Sequence, residues 1–276
     1  MNIYISADLE GIAGVVARDQ LGGTSENYRR ARKLMTDEVN AAALGAIDAG
    51  ADEVVVNDSH ASMTNILIED LHEEVRLISG QPKALSMMAG ICSEYDMAFL
   101  IGYHARQGER GTLSHTYSST TIGQFKFNGQ VVGELGLSAL IAGYFGVPIG
   151  LVSGDDAVCS EGKELLGDSV KLAAVKKNLA HRAAESLGPL QAGRLIREQA
   201  RQAVSAKESA KPLILKSPAT LEITFLNRGM AEEASLMPGA EIVSGSTVKF
   251  THPDTREVIA GLEVMVTMAM SIPSDI

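Results

Sequence analysis

Basic residues are scarce in this chain. Twenty-four lysines and arginines stand against 34 aspartates and glutamates, a net charge of −10, and nowhere do five basic residues run together. Nucleic acid and anionic membrane surfaces bind through clustered positive charge, so neither is an expected partner. A small or cationic ligand, or a metal, stays open. Cysteine is scarcer still. Cys92 and Cys159 form no C-x-x-C pair, which excludes a zinc ribbon or a dithiol redox motif and leaves reduced thiols in a cytoplasmic protein as the simplest reading. No apolar run reaches eighteen residues, and Met1 leads straight into a strand pattern with no basic, apolar leader. An unanchored cytoplasmic protein is the expectation. No H-E-x-x-H motif, internal repeat or low-complexity tract is present.

What is there is a sizeable apolar fraction, 45%, with 21% charged residues over 276 positions, enough for a large core. Residues 2–7 form a short apolar run that reads as a strand. Tyr28, Ala31, Met35, Val39, Ala42 and Ala46 recur at three- and four-residue spacing and predict a helix from about Ser25 to Ala49. Ser25 or Thr24 suits its N-cap and Gly50 its C-terminal stop. DEVVVND, MAFLIGYH (97–104) and VPIGLVSGDD (147–156) are continuous apolar runs, typical of parallel strands covered on both faces. FKFNGQVVG (125–133) signals a hairpin turning at Asn128-Gly129. ELGLSALIAGYF (134–145) is apolar nearly all round and predicts a buried helix. The pattern loosens near Gly188–Gly193 and again near Lys211–Pro218. LEITF (221–225), IVSGSTVKF (242–250) and an apolar helix at about 255–271 follow. The alternation predicts an α/β fold with a layered, largely parallel sheet flanked by helices. It divides into a catalytic α/β domain, 1–210, and a smaller α+β lobe, 211–276, with the chain free to cross between them.

In an open parallel sheet, ligands bind beyond the carboxyl ends of the strands. Four predicted strands end in polar residues: Asp8 and Glu10; Asp58 and His60; His104; Asp155 and Asp156. Each has a bland reading, as a cap, a turn former or a surface histidine, and Glu134 could simply favour a helix dipole. Taken together they form a mixed nitrogen–oxygen set that suits Zn²⁺, or Mn²⁺ if oxygen-rich. A bridging carboxylate would allow two ions roughly 3.5–4 Å apart. The remaining histidines, His72, His181 and His252, read as surface residues. Cys159 reads as a small buried apolar side chain, and Asp155 and Asp156 as groups that orient the ligands.

SADLEG (6–11), VNDSH (56–60), GYHA (102–105), SH (114–115) and VGELGL (132–137) together resemble the zinc-dependent D-aminopeptidase family of the dipeptide-permease type. The likeness extends into GYFGVPIGLVSGDD and ASLMPGAEI, and covers most of the chain. It implies that Asp8, Glu10, His60, His104 and Glu134 hold two Zn²⁺ per chain, with Asp8 as the natural bridge. It also implies that His115 is the catalytic histidine, described in the family as the nucleophile. Two α/β lobes around a cleft and a homo-oligomeric ring, a decamer of two pentamers, are implied as well.

The expected activity is hydrolysis of short peptides with a free amino-terminal D-residue, such as D-Ala-D-Ala, by a metal-activated water. On chemistry alone His115 suits a general acid or base better than a nucleophile, because the metal already supplies one. The alternatives are a metal-dependent amidohydrolase, an L-specific aminopeptidase, and a non-enzymatic peptide- or metal-binding protein of a transport pathway. A metal-free scaffold with Asp8 and Glu10 paired to Arg106 or Arg110 is the fourth.

Overall fold

The computed structural model describes residues 1–273; the last three residues of the expected C-terminal lobe, 274–276, lie outside the described residues. The chain runs β1 (Asn2–Ala7), α1 (Glu26–Asp48), β2 (Glu53–Asp58), β3 (Val75–Ile78), β4 (Met97–Tyr103), β5 (Ile122–Phe127), β6 (Gln130–Val132) and α2 (Glu134–Tyr144). It continues through β7 (Ile149–Asp155), α3 (Asp156–Leu166), β8 (Lys171–Ala180), β9 (Ala183–Ser186), α4 (Pro189–Ser205) and β10 (Ala219–Phe225), then α5 (Arg228–Ala234), β11 (Glu241–Ser244), β12 (Thr247–His252) and α6 (Thr255–Ala269).

Seven strands form the main sheet in the order β3-β2-β1-β4-β7-β8-β9, parallel throughout except for the final β8/β9 pair. The continuous apolar runs explain this, because both faces of the sheet are covered. Ile3, Ile5, Val54, Val56 and Phe99 pack against Met35, Val39 and Ala46 of α1 and Ile196, Ala200 and Ala203 of α4. On the opposite face Tyr4, Leu100 and Val152 join Leu137 and Ile141 of α2. That second core runs on without a break into Ile223 of β10 and Leu262 and Met265 of α6.

The second sheet is antiparallel, in the order β11-β12-β10-β5-β6. Its hairpin β5–β6 turns at Asn128 (φ 48°) and Gly129 (φ 82°), the two positive dihedrals that a type I′ turn requires. Strands from 122–132 and from 219–252 therefore share one sheet, and β6 leads directly into Glu134.

Two details differ from the sequence pattern. The loosened stretch at Gly188–Gly193 is the start of α4, with Gly188 at its N-cap and Pro189 in its first turn. Its buried stripe is built largely of alanine, which blurs the hydrophobic period. Asp8 and Glu10 pair with neither Arg106 nor Arg110. Arg106 is engaged by Glu109 (2.7 Å) and Glu161 (3.7 Å) instead. Among the described residues no helix is long and apolar enough to cross a membrane.

Candidate metal centre

The strand order places β1 between β2 and β4, so their carboxyl ends share one edge. Asp8 and Glu10 follow β1, His60 follows β2 and His104 follows β4. Glu134 is the first residue of α2. His115 comes from the irregular segment between β4 and β5. Asp8, Glu10, His60, Glu134 and His115 line the floor of a cleft of about 1160 Å³, with His104 directly behind it, stacked on His115; all but His115 are buried.

Two glycines allow this convergence. The Gly102 backbone lies at φ 72°, and a Cβ there would sit 2.2 Å from the Asp8 carbonyl. A Cβ on Gly11 would sit 2.0 Å from the Tyr103 carbonyl. Only with both side chains absent can the turn after β1 press against the end of β4, where Gly11 N–H donates to Gly102 O at 2.7 Å.

The histidines are oriented by backbone carbonyls. His104 Nδ1–H donates to Ala105 O at 3.0 Å, and His60 Nε2–H donates to Leu21 O at 2.8 Å. Those bonds fix the tautomers and turn a lone pair of each ring toward the carboxylates. His60 Nδ1 lies 3.1 Å from Asp8 Oδ1 and 2.9 Å from Glu10 Oε2. His104 Nε2 lies 3.2 Å from Glu134 Oε1 and 3.6 Å from Asp8 Oδ2. Asp8 Oδ2, Glu10 Oε2 and His104 Nε2 are fully buried without a hydrogen-bond partner. Electron-rich atoms facing one another in a buried site require a cation between them or protons upon them.

The titration behaviour follows from the same geometry. Burial and the adjacent Glu10 charge push the Asp8 carboxyl up to about 6. Burial acts on Glu10 in the same sense, but the charges of His60, His115 and His104 outweigh it and hold Glu10 well below its usual range. Burial alone would lower His104; Glu134, Asp8 and Glu10 overcome it and raise the imidazole to about 10. His60 is raised in the same way by Glu10 and Asp8.

Protons thus fill the cation's role when no metal is bound, and the sign of their effect is fixed. A histidine whose folded pKa is raised contributes stability that is complete below its unfolded value and is lost as pH rises through the folded value. Chelator-treated protein is therefore expected to lose stability between about pH 6.5 and pH 8, by up to about 1.4 kcal/mol per pH unit for each extra proton held. Above pH 8 Lys176 and Lys83, both lowered to about 8 by burial, shed protons in the folded state and oppose the loss. Urea midpoints at pH 6.5 and pH 8 check this; a midpoint that rises between them would refute it.

Two side chains support the cluster from behind. Lys176, only 2% exposed, donates its ammonium hydrogens to the carbonyls of Glu10, Ile12 (3.3 Å) and Val15 (2.6 Å). Burial lowers this lysine to about 8. Glu38 accepts from Ala13 N–H at 2.9 Å, and burial pushes its carboxyl up to about 7. Together they hold residues 10–15, the turn that bears Glu10.

The segment bearing His115 is held separately. Its ring stacks on His104, with centroids 4.2 Å apart and planes 10° from parallel. His115 Nδ1–H donates to Leu113 O at 3.0 Å, leaving Nε2 free at 3.7 Å from Glu134 Oε1. Leu113 and Tyr117, two residues either side, both have positive φ (57° and 58°). Tyr117 N–H donates to Glu134 Oε1 at 2.6 Å, and its hydroxyl bonds Ser86 and the Glu263 carboxylate of α6. Asp155 caps α3 through Val158 N–H and accepts Thr112 N–H at 2.7 Å, so it positions this segment rather than the buried cluster. Asp156 accepts Asn178 N–H at 2.8 Å, away from the cluster.

Asp58 organises its own loop, accepting from Asn65 and Ile66, and does not join the cluster. His181, expected on the surface, is exposed but lines the cleft with Arg182 at the tip of the β8–β9 hairpin. Cys159 is buried, and burial pushes its thiol up to about 12, well out of nucleophilic range. Lys176, Glu38, Tyr117 and Glu263 carry no signal in the sequence pattern, since each acts through a fold-dependent approach.

A mixed nitrogen–oxygen pocket at the carboxyl edge of an open parallel sheet has the donor set and the place in the fold at which α/β enzymes hold a metal ion. The chain belongs to the D-aminopeptidase family, whose sequence profile matches residues 1–264. It is 41% identical over 271 residues to the D-aminopeptidase of Bacillus subtilis (strain 168), spanning 98% of each chain. It also superposes on the solved structure of the Zn-dependent D-aminopeptidase DppA from Bacillus subtilis, described as a self-compartmentalizing protease. That match has a TM-score of 0.95 and 40% identity over 99% of both chains.

Proposed function

We propose that this chain is a zinc-dependent D-aminopeptidase that removes a D-residue from the free amino terminus of short peptides. The observation that carries the reading is the set of buried, unpartnered atoms Asp8 Oδ2, Glu10 Oε2 and His104 Nε2, converging beside His60 and Glu134. Asp8, Glu10, His60, His104 and Glu134 would hold the metal. Two ions per chain are supported by two donor clusters that share His104: Asp8 and Glu10 on one side of it, and Glu134, beside His115, on the other. Charge supports the same count, since three buried carboxylates are only partly balanced by one divalent ion.

When bound, zinc supplies Lewis-acid chemistry, acidifying water and polarising a carbonyl. His115 acts as the acid/base group. Its Nδ1–H is committed to Leu113 O, so Nε2 is the atom that carries a proton to the leaving amine. Glu134 Oε1 lies 3.7 Å from that nitrogen. Burial of the other ligands keeps bulk water from competing at the floor.

A ring-shaped homo-oligomer, a decamer at full size, would enclose these clefts in the manner of the self-compartmentalizing relative. Exposed Leu190 (80%), Leu236 (66%) and Leu179 (64%) offer apolar surface for such contacts. The assembly is expected in the cytoplasm. Elemental analysis of dialysed protein is expected to give close to two zincs per chain, with D-Ala-D-Ala cleaved and L-Ala-L-Ala spared. Zinc near zero that added metal does not restore, or equal rates on both peptides, would overturn the reading.

A further inference from the structure

The cleft has opposite charge on its floor and its walls. Its floor carries Asp8, Glu10 and Glu134. The two other carboxylates that line it are already engaged, Glu109 by Arg106 at 2.7 Å and Glu263 by the Tyr117 hydroxyl. The walls carry Arg18, Lys83 and Arg182, none of which has a carboxylate partner among the described residues. In a chain with ten more acidic than basic residues, free positive charge is thus left on the walls of a cleft whose floor is acidic.

Lys83 is the best placed of the three. Arg18 and Arg182 are exposed, whereas Lys83 is half-buried. Its ammonium is fixed by two bonds of 2.6 Å, to Asn57 Oδ1 and to the Asp58 carbonyl, at the end of the strand that delivers His60. An ammonium has three N–H groups, so one is left over. Asp58, whose charge Lys83 feels, forms no ion pair with it: its carboxylate oxygens accept from Asn65 and Ile66 instead. A fixed, partly dehydrated cation with one free donor on the wall of a substrate cleft is built to receive an anion.

We propose that Lys83 anchors a carboxylate-binding subsite, assisted by the charges of Arg18 and Arg182, and that it selects short peptides by their free C-terminal carboxylate. The inference rests on the aminopeptidase reading for its ligand: the peptide's ammonium end belongs at the acidic floor and its carboxylate end at the basic wall. The enzyme thereby measures both ends of a zwitterionic peptide, and a long chain or a capped one forfeits the second contact.

The test compares D-Ala-D-Ala with its C-terminal amide, which matches it in size and lacks the charge. Holoenzyme is expected to favour the free acid in kcat/KM by about tenfold or more, the worth of one charge-assisted hydrogen bond. Lys83→Met is expected to remove that preference by raising KM for the acid, with kcat, zinc content and the rate on the amide little changed. Lys83→Arg is expected to restore part of it. A merely structural lysine would lower both substrates alike. Calorimetry with the methyleneamino isostere of D-Ala-D-Ala and with its carboxamide gives the same comparison without turnover. Acid-selective binding that depends on Lys83, in a protein that cleaves neither peptide, would sink the peptidase reading and keep this one. Cleavage or binding that ignores the terminal carboxylate, in wild type or equally in wild type and Lys83→Met, overturns the subsite.

Discussion

His115→Ala is expected to lower D-Ala-D-Ala hydrolysis by about three orders of magnitude while leaving zinc content near wild type. Two observations lead there. His115 is the one histidine of the cluster that is not fully buried, with its side chain 19% exposed and facing the cleft. Its ring is also held from outside the cluster: Leu113 O fixes Nδ1, and the flanking positive-φ residues Leu113 and Tyr117 fix the backbone. His104 and His60 instead place their free nitrogens among buried carboxylates. Removing His115 therefore removes a proton carrier and leaves five donors in place. The control is the leaving group. A substrate with a good leaving group needs no proton delivered to it, so it is expected to recover much of the lost rate. A variant that loses half its zinc would make His115 a ligand; one that keeps full activity would remove it from the reaction.

Lys176→Met is expected to cost little stability and much zinc affinity. The two energetic terms oppose each other. Burial lowers this lysine from its ordinary 10.5 to about 8, so keeping it charged at neutral pH costs roughly 3 kcal/mol relative to solvent. Methionine of similar length removes that cost. Against this, the carbonyls of Glu10, Ile12 and Val15 lose their donor, at about 1–3 kcal/mol for each that water cannot reach. The terms are similar in size, so the melting temperature of metal-free protein is expected to move by only a few degrees. Zinc affinity has no compensating term. The turn that bears Glu10 loses its tether, and the affinity is expected to fall by tenfold or more, as it does when the groups that orient metal ligands are removed. Competition with a chelator reads the affinity and calorimetry reads the stability. Unchanged affinity would show that Gly11 and Glu38 hold the turn without the lysine.

The contrast between these two residues shows what the sequence could disclose. Asp8, Glu10, His60 and His104 were legible because each directly follows a strand whose apolar run announces it, and parallel strands end on a common edge. Glu134 was legible as the first residue of an apolar helix, and its role came from the family likeness, as did that of His115. Lys176 was not legible. In β8 it should alternate outward, but an extra residue between the partners of Gly154 and Asp155 shifts the register and turns it inward. No pattern in KLAAVKKNLA marks that bulge. The β5–β6 hairpin was visible at Asn128-Gly129, whereas its pairing with β10 depends on contacts across some ninety residues, beyond any local signal. His181 looked like a surface residue and is one, yet the hairpin that carries it overhangs the cleft.

That long-range pairing has a consequence for how the protein is made. Leu221 of β10 pairs with Phe127 of β5, and β12 pairs with β10 in turn. During synthesis the ribosome releases Asp8, Glu10, His60, His104 and Glu134 well before it releases residues 219–252. The strand pair leading into Glu134 has no neighbour until the C-terminal strands emerge, and Tyr117 has no Glu263 to hold it. A nascent chain can fold much of its parallel sheet as it leaves the ribosome, but the sixth member of the cluster stays unset until almost the last helix is out. Peptide cleavage by the proposed centre is thus expected only once α6 has been released, so the order in which the strands are translated delays activity until the chain can close on itself.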